Sequence, residues 1–318
     1  MNRQPLWRST PPAIFPIVIG LVGLSLSWRG LGQSFGVSTS LGDILLGGSS
    51  ALLLFFTLSY LAKLVARPGV LMEDLKSPPG RAGLSAVSMA YIVLSAGLLP
   101  YGEVAHYVWW FGIILHAVIL IFVVKAISKA PPEARSVTPF QLLPFVGLVT
   151  TPIAGVPLGY GLLSQIFVYI TLVAFAVILF QLAVKFARTR PPAPLRPPYA
   201  IVVAPLCLFG ISFGLFEVEI GFLVFYIAAW AYWLLLLVFA KWLTTAGFTP
   251  MWGSLAFPLA TFTNINVMAI SKGYGIVATT GAIAGGAIST ALIFFVGYKV
   301  LKMWAKRDLA KKTGAAVA

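Results

Sequence analysis

The stretch FYIAAWAYWLLLLVFAKWL, residues 225–243, carries one charge, Lys241, near its end. Some 18 or more apolar residues in a row are enough for a helix to cross the roughly 30 Å hydrocarbon core of a bilayer. Blocks of this kind recur along the chain, at approximately 13–31, 41–65, 82–99, 105–127, 140–158, 161–186, 199–216, 220–243, 252–271 and 277–303. Hydrophobic residues make up 59% of the sequence and charged residues 9%, against roughly 25% charged in an ordinary soluble domain. So apolar a chain cannot hide its surface inside a polar shell. In lipid every backbone donor and acceptor must be satisfied internally, which leaves helices or a closed barrel. The runs are continuous rather than alternating, and this decides for helices. The predicted fold class is an all-α polytopic membrane protein: ten transmembrane helices in one transmembrane domain, residues 1–318.

The connectors carry the breakers such a layout needs: Arg67-Pro68-Gly69, Ser77-Pro78-Pro79-Gly80, Ala130-Pro131-Pro132 and the stiff run from Pro191 to Pro198. The net charge of +14 would suit a nucleic-acid partner, but its distribution points to a lipid bilayer instead. Of the 22 Lys and Arg residues, all but Arg29 and Lys272 fall on one side of the ten-span scheme. They begin with Arg3 and Arg8, continue through the connectors after spans 2, 4, 6 and 8, and end with Lys299 to Lys312. Basic residues mark the cytoplasmic side, so both termini are predicted to be cytoplasmic and no nucleic acid is implied. Arg3 and Arg8 before an apolar run also resemble a signal peptide; without a clear small-residue cleavage site, this segment reads as the first span.

The spans pair as hairpins that each start from the basic side. The odd members are shorter and interrupted, with proline in four of the five: Pro16 in span 1, Pro144 and Pro152 in span 5, Pro205 in span 7, Pro258 in span 9. The even members are longer, aromatic-rich and free of internal proline. Irregular helices at membrane depth are tolerated where protein buries them or they line a cavity. The expectation is an inner ring of five kinked odd helices around a central pore and an outer ring of five even ones. Every pair enters from the same side, so this is a repeated hairpin and not an inverted repeat.

Ionisable groups are missing from the central parts of the spans, where proton relays and coupled ion sites would sit. His106 and His116, both in span 4, are the exceptions. Ten positions apart, they point about 80° away from each other on a helix. With Cys207 as the single cysteine, no metal site is predicted. No phosphate loop, HExxH motif or Ser/His/Asp set is present, so no catalytic residue and no cofactor are expected. An intramembrane enzyme would have to use His106 or His116 as its base.

Hydroxyls and amides on the odd spans are candidates for a neutral polar pore lining: Ser25, Ser88, Thr150, Thr151, Ser212, Thr261 and Asn264, with Ser27, Ser85, Ser95, Thr263 and Asn266 beside them. The alternative for each is a bond to its own helix or to a neighbouring helix. Gly281, Gly285 and Gly286 in span 10 fit close helix approach, either between subunits or inside one. In SLAFPLATFTN, 254–264, Phe257 stands directly before Pro258. Periodicity leaves open whether that phenylalanine packs in a core or does something.

Several segments resemble the tellurite-resistance/dicarboxylate transporter family, which includes TehA-like proteins and the plant slow-type guard-cell anion channels. They are Phe15-Pro16-Ile17-Val18-Ile19-Gly20 leading to Leu26-Ser27-Trp28-Arg29, Leu143-Pro144, Ala204-Pro205, and Ala256-Phe257-Pro258-Leu259 with Asn264. The resemblance extends over nearly the whole chain. It implies a homotrimer in a bacterial-type inner membrane, each protomer with its own pore lined by the odd helices, through which small inorganic or organic anions pass. It implies that Phe257 plugs the pore midway and that Phe15 lies near it, with Pro16, Pro144, Pro205 and Pro258 on the lining helices. A passive anion channel or channel-like carrier follows; the alternative is a secondary transporter, proton-coupled or not, of dicarboxylates or tellurite-related oxyanions. Two departures stand out: span 3 lacks the proline of TehA-like proteins, and span 5 has Leu148 and Val149 where those proteins carry asparagines.

Overall fold

The computed structural model of the chain describes residues 5–131 and 135–318; Arg3 and Pro132 lie outside the described residues. The described chain is helical and contains no strand. Its principal elements are α1 (Phe15–Phe35), α2 (Ser40–Ala66), α3 (Pro78–Gly97), α4 (Glu103–Ser128), the segmented α5 (Pro139–Gly155), α6 (Gly161–Arg188), α7 (Val203–Leu215), α8 (Glu219–Val238), α9 (Ala256–Ser271) and α10 (Gly275–Ala305). Ten spans are expected from the sequence; eight helical stretches among the described residues are long and apolar enough to cross a membrane. The two that fall short are α3 and α5. The first is a continuous helix whose opening turn, Pro78-Pro79-Gly80-Arg81, is poor in apolar side chains. The second is apolar but broken into short α and 3-10 pieces.

The prolines act differently from simple mid-helix breaks. Four times, a 3-10 segment that opens on proline leads into an α-helix with a second proline at its second or third residue. Pro12–Ile14 leads into Phe15-Pro16, Pro139–Gln141 into Leu142-Leu143-Pro144, Pro197–Val202 into Val203-Ala204-Pro205, and Pro250–Leu255 into Ala256-Phe257-Pro258. In the first turn of an α-helix the missing N–H of proline costs little, and its fixed φ suits the helix. Each proline therefore marks where tight 3-10 winding relaxes into α. α3 follows another rule. Pro78-Pro79, predicted to lie in a connector, form its first turn, and Ser77 Oγ caps it by accepting from Gly80 N at 3.1 Å.

Burial separates the two classes of helix. The membrane-length stretches that contain α1, α7 and α9 are 72–83% buried, whereas α2, α4, α6, α8 and α10 are 22–39% buried. The exposed faces of the latter are apolar, with Ile44, Val65, Ile121, Phe180, Ile220 and Val238 among them, as lipid-facing helices require. α1 packs on α3 and on α9; α9 packs on α7, α7 on α5, and α5 on α3. Each of these five also packs on the even helix that follows it.

Small residues set the closest approaches. A Cβ at Gly281 would collide with Asn266 and Trp230, and one at Gly285 would come within 3.1 Å of Thr263 Oγ1. These glycines therefore serve packing of α10 onto α9 within one chain. Asn266 reinforces the same region: its Oδ1 accepts from Tyr226 OH at 2.9 Å and Trp230 Nε1 at 3.2 Å.

Candidate functional site

Two cavities lie along the buried helices. One opens among the first residues of those helices, between Ala13, Pro79, Phe140 and Pro250, at the end where the basic connectors attach. The other opens among the last residues of α1 and α9, between Gln33, Ser34, Ile270 and Ser271. The first is the basic-side cavity and the second the far-side cavity. Their volumes are about 50 and 520 Å³. Phe257 and Leu208 line both, and among the described residues no other does. The two cavities thus meet at these two side chains, one from α9 and one from α7.

Phe257 is 7% exposed. Its seat is formed across the helix pair by Gly23 of α1: a Cβ there would lie 3.3 Å from Phe257 Cδ2 and 3.0 Å from the Cβ of Ala260. About two turns of α9 beyond Phe257, Asn264 Nδ2 donates to the Gly23 carbonyl at 3.3 Å. Ser27 Oγ donates to the Gly23 carbonyl at 3.0 Å and approaches the Ala260 carbonyl at 3.2 Å. α1 and α9 are therefore tied together where the phenyl group rests.

The chemical character of the two cavities differs. On the basic side the single polar side chain in the lining among the described residues is Ser254, whose Oγ is turned to the Met251 carbonyl at 2.6 Å. On the far side Gln33, Ser34, Thr261, Asn264 and Ser271 are interleaved with apolar residues. Among the described residues no Asp, Glu, His, Lys or Arg lines either cavity. The two far-side cations are already engaged. Arg29 Nε bonds Asp43 Oδ1 at 2.6 Å and its Nη1 the Gly97 carbonyl at 2.5 Å, while Lys272 Nζ pairs with Glu219 Oε2 at 2.9 Å.

The residues proposed from sequence divide accordingly. Pro16, Pro205 and Pro258 line the basic-side cavity; Thr261 and Asn264 line the far-side one; Phe257 lines both. Phe15, Ser25, Ser88, Pro144, Thr150, Thr151 and Ser212 line neither. Phe15 is fully buried, edge-on to Tyr60 at 6.4 Å. The hydroxyls of Ser25, Thr150, Thr151 and Ser212 return to carbonyls three or four residues back, at 2.6–2.7 Å, the local bonding open to any such hydroxyl in a helix. Leu208 has no signal in the sequence; within APLCLFG it is one apolar residue among many.

His116 is buried and engaged on both nitrogens. Nε2 lies 3.1 Å from the Pro144 carbonyl and Nδ1 2.9 Å from Ser88 Oγ. A carbonyl can only accept, so Nε2 carries the proton and Nδ1 accepts from Ser88. The imidazole holds segmented α5 to α3 and α4. His106 sits nearer the far end, 3.2 Å from Tyr160 OH. Neither lines the basic-side or the far-side cavity. Among the described residues no group of three or more His, Cys, Asp or Glu could hold a metal.

One polar cluster is not visible in the sequence. Lys63, counted in the charge pattern with the connector after span 2, is inside α2 and fully buried, with Nζ 2.9 Å from Asp74 Oδ2 and 3.1 Å from the Thr10 carbonyl. Asp74 is equally buried. It also accepts from Tyr60 OH at 2.9 Å and, through Oδ1, from Ala316 N at 2.7 Å. This pair clips the start of the chain, the end of α2 and the C-terminal segment together at the basic end.

A family model described as SLAC1, voltage-dependent anion channel, matches residues 9–303. A comparison with curated proteins finds no match.

Proposed function

Because the chain belongs to the SLAC1 family of voltage-dependent anion channels, we propose that it conducts small inorganic or organic anions through the two cavities, with Phe257 as the plug between them. The observation that carries this reading is that the cavities approach from opposite ends and, among the described residues, share only Phe257 and Leu208 in their linings. A phenyl group at such a waist blocks an ion sterically and also denies it hydration. The hydroxyls and amides of the far-side cavity offer weak neutral contacts, which suit conduction because an ion must leave as well as bind. A carboxylate that could carry a coupled proton lines neither cavity among the described residues.

The closed sequence of contacts α1–α3–α5–α7–α9–α1 and the burial of these elements support an inner ring of five, with α2, α4, α6, α8 and α10 outside, hence ten spans in five hairpins. The one-sided distribution of Lys and Arg supports cytoplasmic termini in a bacterial-type inner membrane. A homotrimer would form through the exposed apolar faces of the even helices, since Gly281 and Gly285 are consumed inside the chain. The test is ion-substitution recording of the purified protein in planar bilayers, wild type against Phe257→Ala. Current carried by anions and raised by the substitution supports the channel. A saturable flux of dicarboxylate or tellurite that requires a pH gradient would replace it with a coupled carrier.

A further inference from the structure

A narrow cleft at the basic end lies beside the pathway, bounded by Pro78, Arg81, Ile127, Thr138, Gln141 and Phe140. Arg81 belongs to the first turn of α3 and is 3% exposed. No hydrogen bond or ion pair to its guanidinium exists among the described residues, and its Nη1 is buried without a partner. Thr138 Oγ1, in the wall of the same cleft, is also buried without a partner. The acidic side chain closest in sequence, Asp74, has both oxygens occupied by Lys63, Tyr60 and Ala316 N. A guanidinium stays charged under all conditions a protein meets. Burying it with no counter-charge is among the costlier things a fold can do. Two unsatisfied groups facing one cleft, a fixed cation and a hydroxyl donor, are together the recognition set for a small anion.

We propose that Arg81 and Thr138 form a second anion site, separate from the waist at Phe257, that takes one small monovalent inorganic anion of the chloride or nitrate class. As the side chains stand, the cleft has no room for a water-sized sphere, so an occupant needs a side chain to move. Phe140 is the one that connects: it lines both the cleft and the basic-side cavity. Its rotation opens the cleft toward the cavity, and an anion arriving there pairs with Arg81 and Thr138. The site thus gives the otherwise apolar basic-side cavity a resident charge of the right sign just behind its wall. It does not require Phe257 to be a gate.

The test reads binding rather than current, so its result is independent of the channel reading. The full chain, purified in detergent free of phospholipid, is unfolded thermally in sodium chloride and in sodium gluconate at equal ionic strength. Its structure is then determined from bromide, with the anomalous signal locating the ion. The expected result is a bromide peak in hydrogen-bond reach of Arg81 and Thr138, and a higher Tm in chloride. Arg81→Gln removes the chloride dependence. Thr138→Val, which keeps shape and charge, raises the half-saturating chloride concentration by about 2- to 10-fold, the value of one hydrogen bond. If Arg81→Gln does not fold, Thr138→Val carries the test alone. A map without bromide at Arg81, or an unchanged chloride dependence in Thr138→Val, overturns the proposal. So does density for a lipid phosphate at Arg81 in nanodiscs of anionic lipid together with no halide effect in detergent.

Discussion

Replacing Phe257 by alanine is the perturbation that bears most directly on the proposed pathway. The side chain is 7% exposed, so opening the waist in the wild type means swinging the phenyl group out of its seat on Gly23. Fully burying a phenylalanine is worth about 1.5–3 kcal/mol, and at about 1.4 kcal/mol per factor of ten this holds the closed arrangement about 10- to 150-fold over the open one. Phe257→Ala removes that requirement, so anion current per protein should rise by about the same factor. Leu208 remains at the waist and keeps the gain toward the lower end. Phe257→Leu, with a smaller and more flexible side chain, should fall between wild type and alanine. The stability cost is part of the prediction. Truncating a core phenylalanine removes about 3–5 kcal/mol; this one already borders two cavities, so the loss should sit near about 3 kcal/mol. The assay is macroscopic chloride current in planar bilayers, normalised to reconstituted protein that elutes as a single species. A current from Phe257→Ala within about twofold of wild type, in protein that is folded and present in equal amount, would refute the reasoning. Loss of current in both Phe257→Ala and Phe257→Leu would do so as well, because it would make Phe257 structural support for the pathway.

Leu208→Ala should raise current less than Phe257→Ala, and the double substitution should depart from additivity by about 0.5 kcal/mol or more because both side chains close one waist; additive effects in the same bilayer assay would separate them. Asp74→Ala leaves Lys63 buried and unpaired and should cost about 3–5 kcal/mol by thermal unfolding in detergent, with Lys63→Met/Asp74→Leu recovering most of it; a single variant as stable as wild type would show that the pair carries no such burden. His116→Phe strands the Pro144 carbonyl and should cost about 1–3 kcal/mol while leaving the ion selectivity of the Phe257→Ala background unchanged; altered selectivity would move His116 into the pathway. Moving one elementary charge across 100 mV is worth about 2.3 kcal/mol, and no ionisable side chain among the described residues lines either cavity. The conductance should therefore depend on voltage with an effective gating charge below about one; a steeper dependence, measured by voltage steps, would require a charged element that moves.

Long-range order was readable where it rests on one-dimensional quantities. Uninterrupted apolar length and the placement of Lys and Arg locate the helices: expected spans 41–65, 105–127, 161–186 and 277–303 compare with Ser40–Ala66, Glu103–Ser128, Gly161–Arg188 and Gly275–Ala305. The contrast between proline-bearing and proline-free spans tracks the contrast in burial except in span 3, which has no proline within 82–99 and is buried all the same. What the sequence cannot carry is the direction of a side chain. Ser25 and Thr261 are both hydroxyl residues on buried helices, both bonded to a carbonyl three residues back, yet Thr261 lines a cavity and Ser25 does not. Lys63 reads as one of several basic residues near a connector; its burial depends on Asp74 and Thr10, eleven residues ahead and fifty-three behind, converging on it. Arg81 likewise looks like a flanking charge until α3 is seen to begin at Pro78 rather than after it.

The four proline junctions sharpen why Phe257 is the candidate plug. Phe15, Leu143, Ala204 and Phe257 each stand directly before the inner proline of a 3-10 to α junction, in equivalent local structure. Leu143 and Ala204 line only the basic-side cavity, Phe15 turns away toward Tyr60, and Phe257 alone reaches both cavities. The proline therefore does not select the plug. The selection comes from the opposing helix. A Cβ at Gly20 would run into Ala256 and one at Gly23 would crowd Ala260 and Phe257. Two positions without side chains on α1 let α9 approach closely, and the aromatic group of Phe257 shares both cavity linings with Leu208 of α7. A plug needs a side chain long enough to span the waist and a floor opposite that leaves it room. For the proposed plug the floor is the pair Gly20 and Gly23, more than two hundred residues away in sequence, which is why neither the proline nor the phenylalanine could identify it alone.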